Sequence, residues 1–215
     1  MTLGRLARTG AVVALATAAT LATLAPADAH RRPAAPTGTT SLATVLAADG
    51  AGFDRNPRDY DILDNAVSAV LKAKPTSPVA VLADGDTALT AFLPTDRAFR
   101  QLAVDLTGHR YRSESKVFTV LATELGVETI EDVLLYHVVP GAILSYRQAL
   151  RADGAVLTTA LTGSTVRVDV VRCAVVKLVD ADRDARNPVV VARDLNAGNV
   201  QIAHGIDRVL RPVDL

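Results

Sequence analysis

Apolar positions along this 215-residue chain keep a helical period in its first half and a strand period in its second. Ser41 to Ala47 is a short helix. Ile62, Leu63, Ala66, Val67, Val70 and Leu71 repeat at helical spacing behind Asp59 and Asp61, with Lys72 and Lys74 in the last turn and Pro75 beyond. Val79 to Leu82 is expected to be a short strand or extended piece, and Asp84-Gly85-Asp86 a turn. In Thr90-Ala-Phe-Leu-Pro-Thr-Asp-Arg-Ala-Phe99 a short apolar strand meets Pro94, which has no N–H to extend a central strand. Thr95 then stands at a helix N-cap and Asp96 in the first turn, where a carboxylate complements the helix dipole. Phe99, Leu102, Ala103 and Leu106 give that helix one buried face.

Thr107-Gly108-His109-Arg110 breaks the chain. A helix over 114–125 buries Val117, Phe118, Leu121 and Leu125 and stops at Gly126, whose missing side chain suits a left-handed cap. Thr129 and Asp132 bracket the next helix start in the manner of a capping box. That helix leads into Val133-Leu-Leu-Tyr-His-Val-Val139, and Pro140-Gly141 fits a type II turn. From Leu157 onward strands dominate. Val166, Val168 and Val170 alternate with Arg167 and Asp169, a parity slip at Val170-Val171 marks a bulge or short turn, and 180–188 is a polar hairpin connection. Further strands are expected at 189–192 and 202–210. Helices early and strands late predict an α+β domain over 41–215 with no internal repeat.

Residues 1–29 stand apart from this domain. Arg5 and Arg8, the apolar run Ala11–Leu24 and the small residues Ala27-Asp28-Ala29 have the layout of a secretory signal peptide, and the run is too short and Ala/Thr-rich for a membrane span. Residues 30–40, rich in Pro, Thr and Arg, are expected to be a disordered lead-in. The mature chain is therefore expected to be secreted, extracellular or cell-wall associated, without a transmembrane anchor. Removing 1–29 takes two Arg and one Asp from 23 basic and 23 acidic residues, leaving 21 and 22. A charge near −1 gives no general field for nucleic acid. The lone cysteine, Cys173, has no internal disulfide partner and is expected to be a small buried hydrophobe among valines.

Catalytic patterns are scarce. There is no G-x-S-x-G elbow, phosphate-binding Gly-rich loop, H-E-x-x-H or paired cysteine set, and no cofactor is implied. Asp180, Asp182 and Asp184 alternate like the start of a calcium loop. Ala185 stands where that loop needs Gly and Val191 where it needs Glu, so a solvated hairpin tip is expected instead. His109 belongs to a surface loop. His137 and His204 lie in apolar runs, where neutral imidazole donates from one nitrogen and accepts at the other, tying buried backbone together; zinc would need a third ligand that the pattern does not offer. Tyr136 is expected to bury its ring and bond its hydroxyl. Asp207 is a candidate to cap backbone N–H groups or pair with an arginine.

Three segments together resemble the fasciclin (beta-Ig-H3/fasciclin) domain. Thr90–Phe99 resembles its first signature, with Thr95, Asp96 and Phe99 at motif positions. Leu134-Leu-Tyr-His-Val-Val-Pro-Gly141 is similar to its tyrosine–histidine segment. Asn199-Val-Gln-Ile-Ala-His-Gly-Ile-Asp-Arg-Val-Leu210 is similar to its second signature, with His204 and Asp207. The resemblance covers about residues 41–214. It implies a wedge of two β-sheets with several helices packed at one side, in a non-enzymatic adhesion module whose partner is a surface or matrix protein or glycan. In animal members the tyrosine–histidine segment has been linked to integrin binding, which makes Tyr136 and His137 candidate partner contacts. Ala203-His204-Gly205 departs from the family, which more often has branched apolar residues on both sides of the histidine, and 106–130 is longer than the family pattern. An alternative is an extracellular carrier of a small apolar ligand such as a lipid, motivated by the aliphatic composition and that longer region. A third reading is a hydrolase or lyase using His137 or His204. The aliphatic residues of the three segments, Phe99, Leu135 and Ile206 among them, are expected to share one interior.

Overall fold

The structure is a computed structural model that describes residues 36–215 apart from Ala51 and Cys173. The expected signal peptide, residues 30–35 of the lead-in and the burial of Cys173 lie outside the described residues. Helices α1 (Leu42–Leu46), α2 (Asp61–Ala73), α3 (Asp96–Thr107) and α4 (Glu114–Tyr136) belong to the first half of the domain, with the short α5 (Tyr146–Ala149) after them. The strands are β1 (Leu89–Pro94), β2 (Val138–Pro140), β3 (Val156–Thr158), β4 (Thr165–Val171), β5 (Val175–Val179), β6 (Val190–Leu195) and β7 (Gln201–Ile206). They form a four-stranded sheet in the order β2-β1-β7-β6 and a three-stranded sheet in the order β3-β4-β5. Two sheets with several helices are the architecture expected.

At the centre, β1 and β7 pair in parallel over six positions, from Leu89 opposite Gln201 to Pro94 opposite Ile206. Every residue of both strands is buried. Their side chains alternate between two layers, as a pleated strand requires. Leu89, Ala91, Leu93 and Ala203 face the helices, where they meet Ile62, Val67, Phe99, Leu102, Val117 and Leu135. Phe92 and Ile206 face the second sheet, where they meet Tyr136, Val166, Val168, Val176 and Leu178. Burial on both faces is why these strands show unbroken apolar texture instead of alternation. The expectation of one interior is thereby corrected: Phe99 and Leu135 lie in one core, Ile206 in the other, and the four-stranded sheet divides them.

Local chemistry moves several boundaries. Residues 78–83 form a 3-10 helix instead of a strand, because Pro78 occupies its first position and the Ser77 hydroxyl accepts from Val79 N–H. Gly126 interrupts α4 at φ 72°, ψ 166°, a positive-φ kink and not the left-handed stop expected, and the helix resumes directly, not at the Thr129 box. β7 ends at Ile206, short of Leu210. The slip after Val170 is a turn with Arg172 at φ 52°. Helix α5, whose Ser145 and Gln148 form a capping box, was not expected. Within the segment expected to be a lead-in, Gly38 bridges to Asn199, its N–H donating to Gly198 O at 3.0 Å and its carbonyl accepting from Val200 N–H at 2.9 Å.

The Gly205 departure has a packing cause. A Cβ at that position would sit 2.3 Å from the Tyr60 hydroxyl and 2.9 Å from Ala192 Cβ, so a branched residue does not fit beside Tyr60. Gly205→Ala is expected to lower unfolding free energy by about 1–3 kcal/mol through overpacking. Tyr60→Phe in that background should restore part of the loss, because one of the two clashing atoms is gone. Urea titrations of the wild type, both single variants and the double variant check this; additive effects would show that Tyr60 and Gly205 do not share the space.

Candidate functional site

Three helices begin at one place. Asp96, the first residue of α3, is wholly buried and accepts from Ile62 N–H at 3.0 Å, so it caps α2, not only its own helix. Asp59, just before α2, returns the contact: its carbonyl accepts from Asp96 N–H at 3.0 Å, and Pro57 O accepts from Arg97 N–H at 2.9 Å. Glu114, the first residue of α4, accepts from Asp54 N–H at 2.7 Å and from the Arg100 Nη2 donor at 2.7 Å. Carboxylate oxygens of Asp59, Asp96 and Glu114 lie within 4.8 Å of one another. Burial, then the hydrogen bond to Asp59 and the charges of Glu114 and Asp59, push Asp96 up to about 8, against the lowering effect of the Ile62 N–H. Asp59 is raised as well, mainly by burial. Among the described residues the buried Asp59 Oδ1 and Asp96 Oδ2 have no hydrogen-bond partner, and the raised pKa of Asp96 favours its protonated form near neutral pH.

Both core histidines bridge backbone across elements. His137 is buried; Nδ1–H donates to Val133 O at 2.6 Å and Nε2 accepts from Leu210 N–H at 2.9 Å, which sets the tautomer. Burial pushes its pKa down to about 4. His204, also buried, accepts from Asp194 N–H at Nδ1 (3.2 Å) and donates from Nε2 to Leu144 O (2.8 Å). Its pKa is likewise lowered by burial. Tyr136 is 1% exposed and donates its hydroxyl to Thr165 O at 2.9 Å, while burial raises its pKa to about 12. Tyr136 and His137 therefore offer no side-chain surface to a partner in this structure. Thr95 N–H donates to Ile206 O at 3.2 Å, joining the start of α3 to the end of β7. Asp207 accepts from Val189 N–H at 2.7 Å and faces Arg186 at 3.6 Å. Gln201, which the sequence did not single out, is wholly buried with its amide satisfied: Nε2 donates to Val81 O and Asp84 O, and Oε1 accepts from Leu42 N–H.

The surface opens where β1 and β7 end together. A cleft of about 430 Å³ is lined there by Arg58, Thr95, Arg97 and Gln101 from one motif's side and by Asp207 and Arg208 from the other's, with Arg186 and Val191 between. A second cleft of about 420 Å³ adjoins it at Gln101, Arg186 and Arg208 and contains Asp105, Asp182, Asp184 and Asp214. Asp182 is buried, not at a solvated tip. Its Oδ1 accepts from Asp184 and Ala185 N–H and its Oδ2 from Arg211. Among the described residues three acidic groupings have ligand-like spacing: Asp54/Asp59/Asp61, Asp59/Asp96/Glu114 and Asp182/Asp184/Asp214. In the second, Arg100 already supplies a cation and Glu114 has both oxygens engaged; in the third, Arg211 does the same for Asp182.

These shifts act on stability in opposite senses. Asp96 has a folded pKa above its ordinary 3.8, so the native state holds the extra proton; its contribution is complete below about pH 4 and is lost as pH rises toward 8. Asp180, raised by burial to about 6, has the same sign over a narrower window. His137, depressed from 6.5 to about 4, contributes fully above pH 6.5 and loses that contribution as pH falls. Asp96→Asn keeps the acceptor for Ile62 N–H and offers N–H to Asp59. Its melting temperature is expected to fall less than that of the wild type between pH 5 and pH 8; identical slopes would show that Asp96 does not retain its proton.

The family model for the fasciclin domain matches residues 63–212. In fold the chain is similar to a FAS1 domain pair of the insect cell adhesion molecule fasciclin I, with TM-score 0.50 at 14% identity over 73% of this chain and 48% of that one, so it spans about half of that structure's length. No curated protein matches it in sequence. Among the described residues no helix is long and apolar enough to cross a membrane. Both signature segments lie side by side as β1 and β7 within the matched range, and the chain belongs to the fasciclin domain family.

Proposed function

We propose that this protein is a secreted, non-enzymatic binding module that attaches to a cell-surface or matrix component. The observation that carries the reading is the convergence of both fasciclin segments on one open cleft: α3 leaves β1, and Asp207-Arg208 leave β7, at its walls. The interior beneath is organised for rigidity. Each nitrogen of His137 and His204 already holds a backbone group, so neither imidazole has a free position for proton transfer to a substrate. This favours binding over the hydrolase or lyase reading. Export is supported by the arginine-flanked apolar start of the sequence.

Carriage of a lipid is less well supported. The longer 106–130 region does contribute Phe118, Leu121, Leu125 and Ile130 to an apolar cavity between α2, α3 and α4. That cavity holds only about 30 Å³. Pockets for drug-sized ligands are usually roughly 300–1,000 Å³, so helix separation would be needed before a lipid could enter.

Attachment is tested with purified protein immobilised on beads and presented to cells and to extracellular polymer surfaces under flow. The expected outcome is retention above that of beads carrying the heat-denatured protein. Equal retention on every surface would contradict the proposed function.

A further inference from the structure

The cleft at the carboxyl ends of β1 and β7 has an unusual charge. Arg58 comes from the loop before α2, Arg97 from the first turn of α3, Arg186 from the β5–β6 connection and Arg208 from just beyond β7. Four arginines and one aspartate, Asp207, line this cleft in a chain whose total formal charge is zero, and two of the four, Arg186 and Arg208, also border the adjoining acidic cleft. Asp207 is already held by Val189 N–H and pairs with Arg186 at 3.6 Å. Arg58, Arg97 and Arg208 have no ion-pair partner among the described residues. Elsewhere Lys74, Arg100, Lys177 and Arg211 each face a carboxylate. Repulsion among several guanidinium groups in one concavity is relieved by an anion, and their planar forks match carboxylate or sulfate oxygens in bidentate fashion.

The rest of the cleft narrows the class. Pro57, Val191 and Ala192 give it an aliphatic wall, with Val191 55% exposed. No aromatic side chain lines it, so nucleobases would have nothing to stack on. Beyond Gln101 the neighbouring cleft presents Asp184 and Asp214, which would repel a long continuous polyanion. The shape therefore suits a short ligand with acidic groups and aliphatic C–H faces. We infer that the cleft formed by Arg58, Arg97, Arg186 and Arg208 binds an acidic saccharide, a sugar unit bearing carboxylate or sulfate groups. This deepens the binding-module reading and rests on it, naming the chemistry of the partner.

Calorimetric titration of the purified protein with a sulfated, uronate-containing tetrasaccharide is the test. The same sugar with its sulfates removed and carboxyls reduced, and inorganic sulfate, serve as controls. The charged tetrasaccharide is expected to bind, with affinity falling as salt rises. The Arg97→Ala/Arg208→Ala variant should bind roughly tenfold or more weakly, at an unchanged melting temperature. Arg58→Ala, on a different segment, should weaken binding independently. No binding, equal binding of the uncharged sugar, equal binding of inorganic sulfate alone, or full affinity in both variants would overturn the inference. Beads carrying the double variant separate the two readings. If they attach as well as wild type, the saccharide site falls and the attachment role stands. If the sugar binds but wild-type beads attach nowhere, the attachment role falls and the site stands.

Discussion

Six parallel pairs between β1 and β7 join segments more than a hundred residues apart, and most of the molecule is arranged around that contact. One face of the pair carries the helical core and the other carries the sandwich with the second sheet. A parallel pair has no local turn to set its register, so register must come from side chains. Gly205 does part of this, since it alone leaves room for Tyr60 above β7. Gln201 does more by holding α1 and the 78–83 turn with three hydrogen bonds from a fully buried amide. A one-residue slip would bury Gln201 and His204 on the wrong faces and leave their polar atoms unpaired, at about 1–3 kcal/mol for each orphaned group.

Buried polar groups recur wherever separate elements must meet. His137 connects the end of α4 to Leu210, and His204 connects the irregular β6 to Leu144. Asp194 takes φ 52° within β6, an uncommon conformation outside glycine, and its N–H is the one that reaches His204. The starts of α2, α3 and α4 are joined through Asp59, Asp96, Glu114 and Arg100. Such groups add little net stability over apolar packing, but they penalise every alternative arrangement strongly. Thr95, Asp207 and Arg208, immediately beyond the ends of β1 and β7, line the arginine-rich cleft, so rigid interior and open surface are parts of one construction.

Much of this was legible in the sequence, and the reasons are local. Helix α2, the start of α3 at Asp96, the break at Gly126 and the alternating β4 follow from short-range periodicity, although the Thr95 side chain makes no cap hydrogen bond and α4 continues past Gly126. Fasciclin membership followed from the order of three short segments. What stayed hidden was non-local. Asp59, Asp96 and Glu114 each look like ordinary acidic residues at a helix start, so nothing in their own neighbourhoods shows that the three starts meet. Asp182 looked solvated because its partner, Arg211, lies 29 residues on. The four arginines of the cleft are scattered from 58 to 208, and the β1–β7 pairing, the Pro57–Arg97 backbone bond and the Arg186–Asp207 contact bring them together. The division into two cores was missed because apolar content alone does not say which face of a doubly buried strand meets which layer.

Native-state amide hydrogen exchange, read residue by residue, tests the central claim most directly. If the β1–β7 pair is the contact on which the domain depends, amides of 89–93 and 201–206 should exchange only through global unfolding, more slowly than those of β3 or α5. Exchange from β1 and β7 at the rate of those peripheral elements, while the helices stay protected, would contradict it.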